Sequence, residues 1–217
     1  MVTARRRVRR AHLRGGGEYG ESWHEQGKKM SKKNVFDDFI AAAEHLIDEE
    51  YTRPELLAIT GASNGGLLVG AVLTQRPDLV GVALPRSGVY DMLRYDEGSI
   101  GGAWSDEYGL PGDSEDMFDY LKSYSPYHNV DDEAYPATLL YTAENDDRVV
   151  PWHTYKFTAA LQAHTESDEP ILLHTHEASG HGAYRSTTKQ IDEVTDRLTF
   201  TRSIIGADTL MTDLPDN

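Results

Sequence analysis

The chain has 217 residues and no cysteine, with 21 basic and 36 acidic side chains and a formal charge of −15. That length is one domain, large enough to bury a core, and the lack of thiols excludes disulfides and cysteine chemistry. The charge is uneven: residues 1–14 hold six arginines and no acidic group, leaving −21 on residues 15–217, which argues against a nucleic-acid-binding surface. No run of 18 apolar residues is present, so no membrane-spanning helix is expected. The acidic excess without cysteine suits a cytoplasm, and one of high salt. If so, stability rises with added KCl in a thermal melt; a salt-independent melt sinks the idea.

Residues 1–14 differ from the rest, with Arg5, Arg6, Arg7, Arg9 and Arg10 clustered and no long apolar stretch after them. A secretory signal is not expected there. Arg14-Gly15-Gly16-Gly17-Glu18-Tyr19-Gly20 reads as a loop, with Trp23 and His24 just beyond it. From Phe36 the apolar residues Phe39, Ile40, Ala43, Leu46 and Ile47 follow helical spacing, with Asn34 as the expected N-cap and Asp37-Asp38 in a solvated first turn. Residues 55–60 then read as a short buried strand.

The next residues, Gly61-Ala62-Ser63-Asn64-Gly65, have the Gly-x-Ser-x-Gly spacing of a nucleophile elbow. Such a turn joins a strand to a helix and holds one side chain out at its tip. The helix N-terminus behind it suits a developing oxyanion. Residues 65–75 read as a buried helix stopping at Pro77, and 80–84 as a second buried strand. Residues 86–130 are irregular: loop-like segments with embedded aromatics at 98–104 and 108–112, then a short helix at 117–124. A third strand is expected at 137–142, a helix at 153–161 behind Pro151, and a fourth strand at 170–175. The last helix spans 186–205, with Ile191, Val194, Leu198, Thr201, Ile204 and Ile205 on one side, and 206–217 reads as a tail.

Three of these strands run into candidate catalytic groups in the order Ser63, Asp146 (or Asp147), His181. That is the chain order of an α/β-hydrolase triad. A serine hydroxyl is a weak nucleophile near neutral pH and needs a base in reach, which in turn needs an orienting carboxylate. His181 lies between Gly180 and Gly182, which permits an exposed imidazole on a tight loop.

With these residues in place, the chain resembles the prolyl oligopeptidase family of serine peptidases. The likeness rests on Gly61-Ala62-Ser63-Asn64-Gly65-Gly66-Leu67-Leu68, Gln75-Arg76-Pro77-Asp78-Leu79, Asp146-Asp147-Arg148-Val149-Val150-Pro151 and Gly180-His181-Gly182. The glycine-rich loop from Arg14 and the Trp23-His24 pair match as well, so it covers about residues 14–205. Within the family, the chain is most similar to prolyl endopeptidase.

The resemblance implies a partial α/β-hydrolase fold and cleavage of short peptides after proline through an acyl-enzyme, without metal or cofactor. It implies Ser63 as nucleophile, His181 as base, Asp146 as its orienting acid and the Asn64 N–H as oxyanion donor. Trp104 would stack on the substrate proline, with Tyr108, Val89, Ile100 and Val149 around it and Arg148 on a substrate carbonyl.

Three features depart from the family. Its β-propeller is absent from this sequence, only four of eight expected strands are legible, and the strand that should precede Gly15 is replaced by arginines. A strand buried on both faces does not hold them. The expectation is therefore a basic, non-native leader at 1–14, a truncated hydrolase domain at 15–205 and a tail at 206–217. The family's second oxyanion donor, a tyrosine hydroxyl, would lie in a complementing N-terminal fragment. Two readings compete with the peptidase: an inactive remnant needing that fragment, and a small esterase using the same triad.

Overall fold

A computed structural model describes residues 7–182 and 186–206. Residues 207–217 of the tail expected at 206–217, and the first arginines of the leader, Arg5 and Arg6, lie outside the described residues. Residues 7–13 form no strand, and Val8 is exposed. The Arg14 guanidinium forks onto Asp38 (2.5–3.1 Å) while its backbone N–H reaches the same carboxylate at 2.9 Å.

Asp38 therefore ties the glycine-rich loop to helix α2 (Lys33–Asp48), rather than only solvating the helix start. The cap also differs from expectation. The N-cap position is Lys32, and Asn34 sits inside the helix with its amide donating to the Gln26 carbonyl. The Lys33 N–H is satisfied by the Tyr120 hydroxyl at 2.9 Å, so a tertiary contact replaces the side-chain cap. A short helix, α1 (Glu21–Glu25), precedes it.

The centre is a four-stranded parallel sheet in the order β1 (Ala58–Ala62), β2 (Val82–Arg86), β3 (Ala137–Ala143), β4 (Ile171–His176). All four strands lie at apolar runs of the sequence, β3 with its expected start and the others displaced by one to three residues, but β1 and β4 are partly exposed rather than buried. The largest displacement is at β1, because Pro54–Leu56 forms a turn of 3-10 helix first. β3 has neighbours on both sides and is buried throughout, as a parallel strand between two layers must be. Pairing runs Ala58↔Val82 through Ala62↔Arg86, then Val82↔Ala137, then Thr138↔Ile171.

Helices α3 (Asn64–Gln75) and α6 (Trp152–His164) cover one face, with α2 outside them. Ile59, Ala83 and Leu140 point into that layer with Val69, Leu73 and Phe157. The opposite face holds α7 (Thr187–Ile205), where Val82, Leu84, Leu139 and Tyr141 meet Phe200 and Ile205. Here the expected apolar side is half corrected. Thr201 and Ile205 are buried, but Ile191, Val194 and Leu198 are 59%, 50% and 50% exposed. Buried Glu193 accounts for the rotation, because it reaches Arg86 at the end of β2 and His176 at the end of β4. On the same sheet face, Ala58 and Thr60 of β1 are also exposed.

Between β2 and β3 the irregular stretch is more helical than the sequence suggests. Turns of 3-10 helix at Tyr95–Glu97 and Gly101–Trp104 lead into α4 (Ser105–Tyr108), followed by α5 (Glu115–Tyr124). No helix among the described residues is long and apolar enough to cross a membrane.

Candidate active site

The elbow forms where β1 meets α3. Ser63 takes φ 57°, ψ −119°, a conformation an L-residue adopts only when its surroundings enforce it. The enforcing contacts are visible. The Ser63 N–H donates to the Arg86 carbonyl (2.9 Å), and its carbonyl accepts from Leu67 (3.0 Å). A Cβ at Gly61 would fall 2.1 Å from the Gly65 carbonyl oxygen, so the strand needs glycine there for the helix to pass. On the helix side the requirement differs from the simple motif. Gly65 faces open space, whereas a Cβ on Gly66 would lie 2.6 Å from the Arg86 carbonyl and 2.7 Å from Gly88 Cα. Gly66, outside the five-residue pattern, lets α3 lie against the end of β2. Asn64 is the first residue of α3, so its N–H has no partner within the helix.

The expected acid and base, Asp146 and His181, lie on the loops that follow β3 and β4. Asp146 is buried and its Oδ2 lies 2.7 Å from His181 Nδ1. Its Oδ1 accepts the N–H groups of Arg148 (3.1 Å) and Val149 (2.9 Å), which locks the carboxylate plane. Burial alone would raise the Asp146 pKa, but hydrogen bonds from His181 and Val149 outweigh it and hold it below its ordinary value. Asp147 is exposed, so of the acidic pair only Asp146 faces the imidazole. His181 is partly buried, and the loop carrying it turns at Ala178 (φ 47°) and Gly182 (φ 122°). No hydrogen bond joins Ser63 to His181 among the described residues. Without substrate such contacts are commonly long and tighten only when the substrate binds.

One turn beyond the acid, buried His153 accepts the Asp91 N–H on Nδ1 (3.1 Å). Burial pushes His153 down to about 3, so it stays a neutral acceptor and pins α6 to the loop after β2.

Beside Ser63 lies a cleft of about 160 Å³ lined by Ser63, Asn64, Val89, Trp104, Glu107, Tyr108 and Arg148. Five of the expected substrate-side and oxyanion residues meet here. Val149 lies behind this wall, buried with Val89, Tyr95 and Tyr108, and Ile100 is exposed and does not line the cleft. Trp104, a lining residue of the cleft, stacks parallel to Tyr95 at 6.5 Å and meets Tyr108 edge-on. The Tyr108 hydroxyl donates to Asn64 Oδ1 at 3.0 Å. Arg148 spends only its backbone N–H on Asp146, and its guanidinium makes no ion pair with Asp146 or Glu144. Glu107 is a lining residue that the sequence does not single out, because one acidic residue in a polar segment carries no pattern.

Among the described residues, three potential metal ligands approach one another only at Glu21, His24 and Glu25 on α1. Lys28 already neutralises Glu25 there (2.9 Å).

Comparison with known proteins agrees with this geometry. Residues 8–208 match the prolyl oligopeptidase family, Peptidase_S9. A prolyl endopeptidase of Elizabethkingia meningoseptica is 52% identical over 200 residues, 92% of this chain and 28% of the relative. One from Dictyostelium discoideum is 47% identical over 90% of this chain and 26% of its own length. The chain thus spans little more than a quarter of these relatives. Among solved structures, one from a study of two prolyl endopeptidases superposes with a TM-score of 0.86 at 45% identity, over 89% of this chain and 28% of that one. Oligopeptidase B from Leishmania major superposes at 0.85 with 36% identity, over 89% and 27%. The family match covers nearly the whole chain and the parallel sheet with its flanking helices superposes on these structures, so the chain belongs to the prolyl oligopeptidase family.

Proposed function

We propose that this chain carries the catalytic apparatus of a serine peptidase that cleaves short peptides on the carboxyl side of proline. The observation that supports it best is the placement of the Trp104 face in the same small cleft as Ser63. In this reading Ser63 Oγ attacks the carbonyl carbon of the proline residue while His181 Nε2 takes the hydroxyl proton. Asp146 holds the imidazole through Nδ1 and balances its positive charge. The Asn64 N–H donates to the carbonyl oxygen as it becomes an oxyanion. The tetrahedral adduct collapses, the leaving amine takes the proton from His181, and the acyl-enzyme remains on Ser63. Water, deprotonated by the same histidine, then releases the product acid. The flat, apolar proline ring fits between Trp104, Tyr108 and Val89, and Arg148 is free to donate to a substrate carbonyl.

The test compares a chromogenic proline peptide with a simple aryl ester. Trp104→Ala is expected to lower kcat/KM for the peptide at least about tenfold, roughly 1.4 kcal/mol of lost stacking and burial, with ester turnover little changed. Equal losses on both substrates favour an esterase without proline recognition. A wild-type chain that a fluorophosphonate does not label is an inactive remnant.

A second proposal concerns a partner. β1 is the outermost strand of the described sheet, Ala58 and Thr60 beside it are uncovered, and α7 presents Ile191, Val194 and Leu198 to solvent. Unpaired strand edges and apolar stripes together suit a further hydrolase segment that adds a strand and a helix there, as a complementing N-terminal fragment would. Co-expression with such a fragment from a relative is expected to raise the melting temperature by several degrees and to protect β1 amides. An unchanged melt removes this proposal and leaves the first standing.

A further inference from the structure

The cleft wall opposite Ser63 rests on a buried lysine. Lys32 is 1% exposed, and its ammonium lies 2.7 Å from Glu107 Oε1 and 5.0 Å from the centre of the Tyr108 ring. His24 Nε2 takes the other oxygen of Glu107 at 3.1 Å. Burial lowers the Lys32 pKa against the pull of Glu107. Burial likewise raises Glu107, but Lys32 and His24 overcome this and hold it below its ordinary value.

Glu107 and Tyr108 are consecutive on α4, whose four residues are too few to hold a helical turn unaided. Trp104 stands immediately before them. Tyr108 in turn donates to the side chain of Asn64, next to Ser63. Burial pushes the Tyr108 hydroxyl pKa up, so it stays a donor.

We infer that Lys32 is a positioning residue for proline recognition: through Glu107 it fixes the Trp104–Tyr108 wall, and through Tyr108 the Asn64 side chain. This inference rests on the peptidase reading above. A buried ion pair is a poor source of stability against an apolar substitute, because desolvation offsets its attraction, but removing one partner strands a charge. That asymmetry separates positioning from simple packing.

The test uses the full chain with Lys32→Met and the double variant Lys32→Met/Glu107→Gln. The single variant is expected to lose stability and to raise KM for the proline peptide about tenfold. The double variant strands no charge and is expected to regain most of the melting temperature while KM stays raised. If peptide KM recovers along with stability, Lys32 is merely structural and the inference is overturned. A second readout does not depend on turnover. With Trp23→Phe and Trp152→Phe leaving Trp104 as the emitter, acrylamide quenching is expected to rise about twofold in the double variant, and unchanged quenching overturns the inference. A wild-type chain that resists fluorophosphonate defeats the peptidase reading instead, while the quenching still reports on the wall.

Discussion

Ser63→Ala is expected to eliminate covalent labelling by a fluorophosphonate and to cut peptide turnover at least about 10⁴-fold. The substitution removes the only atom that can form the acyl-enzyme, and His181 has no substitute nucleophile in the cleft. It should not cost folding. The Ser63 side chain makes no hydrogen bond among the described residues, and alanine removes no backbone contact of the elbow. Since φ 57° at that position is strained for any L-residue, Ser63→Gly is the informative companion. It should be equally inactive yet melt higher, because glycine relieves the strain. A Ser63→Ala chain that still turns over peptide at more than a hundredth of the original rate removes Ser63 from the mechanism.

Asp146→Asn is expected to lower kcat by about 10⁴ with little change in KM, because the amide no longer fixes the His181 tautomer or balances the imidazolium. Asp147→Asn, one residue on and exposed, should be nearly silent. Acid stability should move with Asp146 as well. Its pKa is depressed in the folded chain relative to about 3.9 when unfolded, so it stabilises the fold above that value. The contribution is lost as pH falls through the lower folded value. The asparagine variant should therefore lose stability near neutral pH and show a flatter acid limb in a pH series of thermal melts. A variant with unchanged kcat and an unchanged acid limb excludes Asp146 from both roles.

The elbow, the order of serine, acid and histidine, and the four strands were readable because each has a signature confined to a few adjacent residues. Gly61 is such a case: the residue type and the collision it avoids lie within one turn of chain. Other features depend on distant partners and left no local trace. Asn34 has the chemistry of a cap, but the Tyr120 hydroxyl, far along the chain, takes that task. Ile191, Val194 and Leu198 have helical spacing, yet buried Glu193, held by Arg86 and His176, turns them outward. Lys32 reads as one more surface lysine in a run of polar residues, and only its approach to Glu107 shows otherwise. The helical turns at 95–108 were hidden for a related reason. They are ordered by Tyr95, whose hydroxyl donates to the Gly109 carbonyl at 2.6 Å, and not by their own propensity.

The strand order has a kinetic meaning. β2 and β3 are bonded on both sides and β1 and β4 on one only, so amide exchange should be slower at Leu139 and Leu140 than at Ala58 and Thr60. Ser63 thus follows one of the two strands of the described sheet that are bonded on one side only, where local opening costs least. Conditions that slow exchange at β1 should raise the rate of Ser63 acylation in step, without any change in substrate contacts.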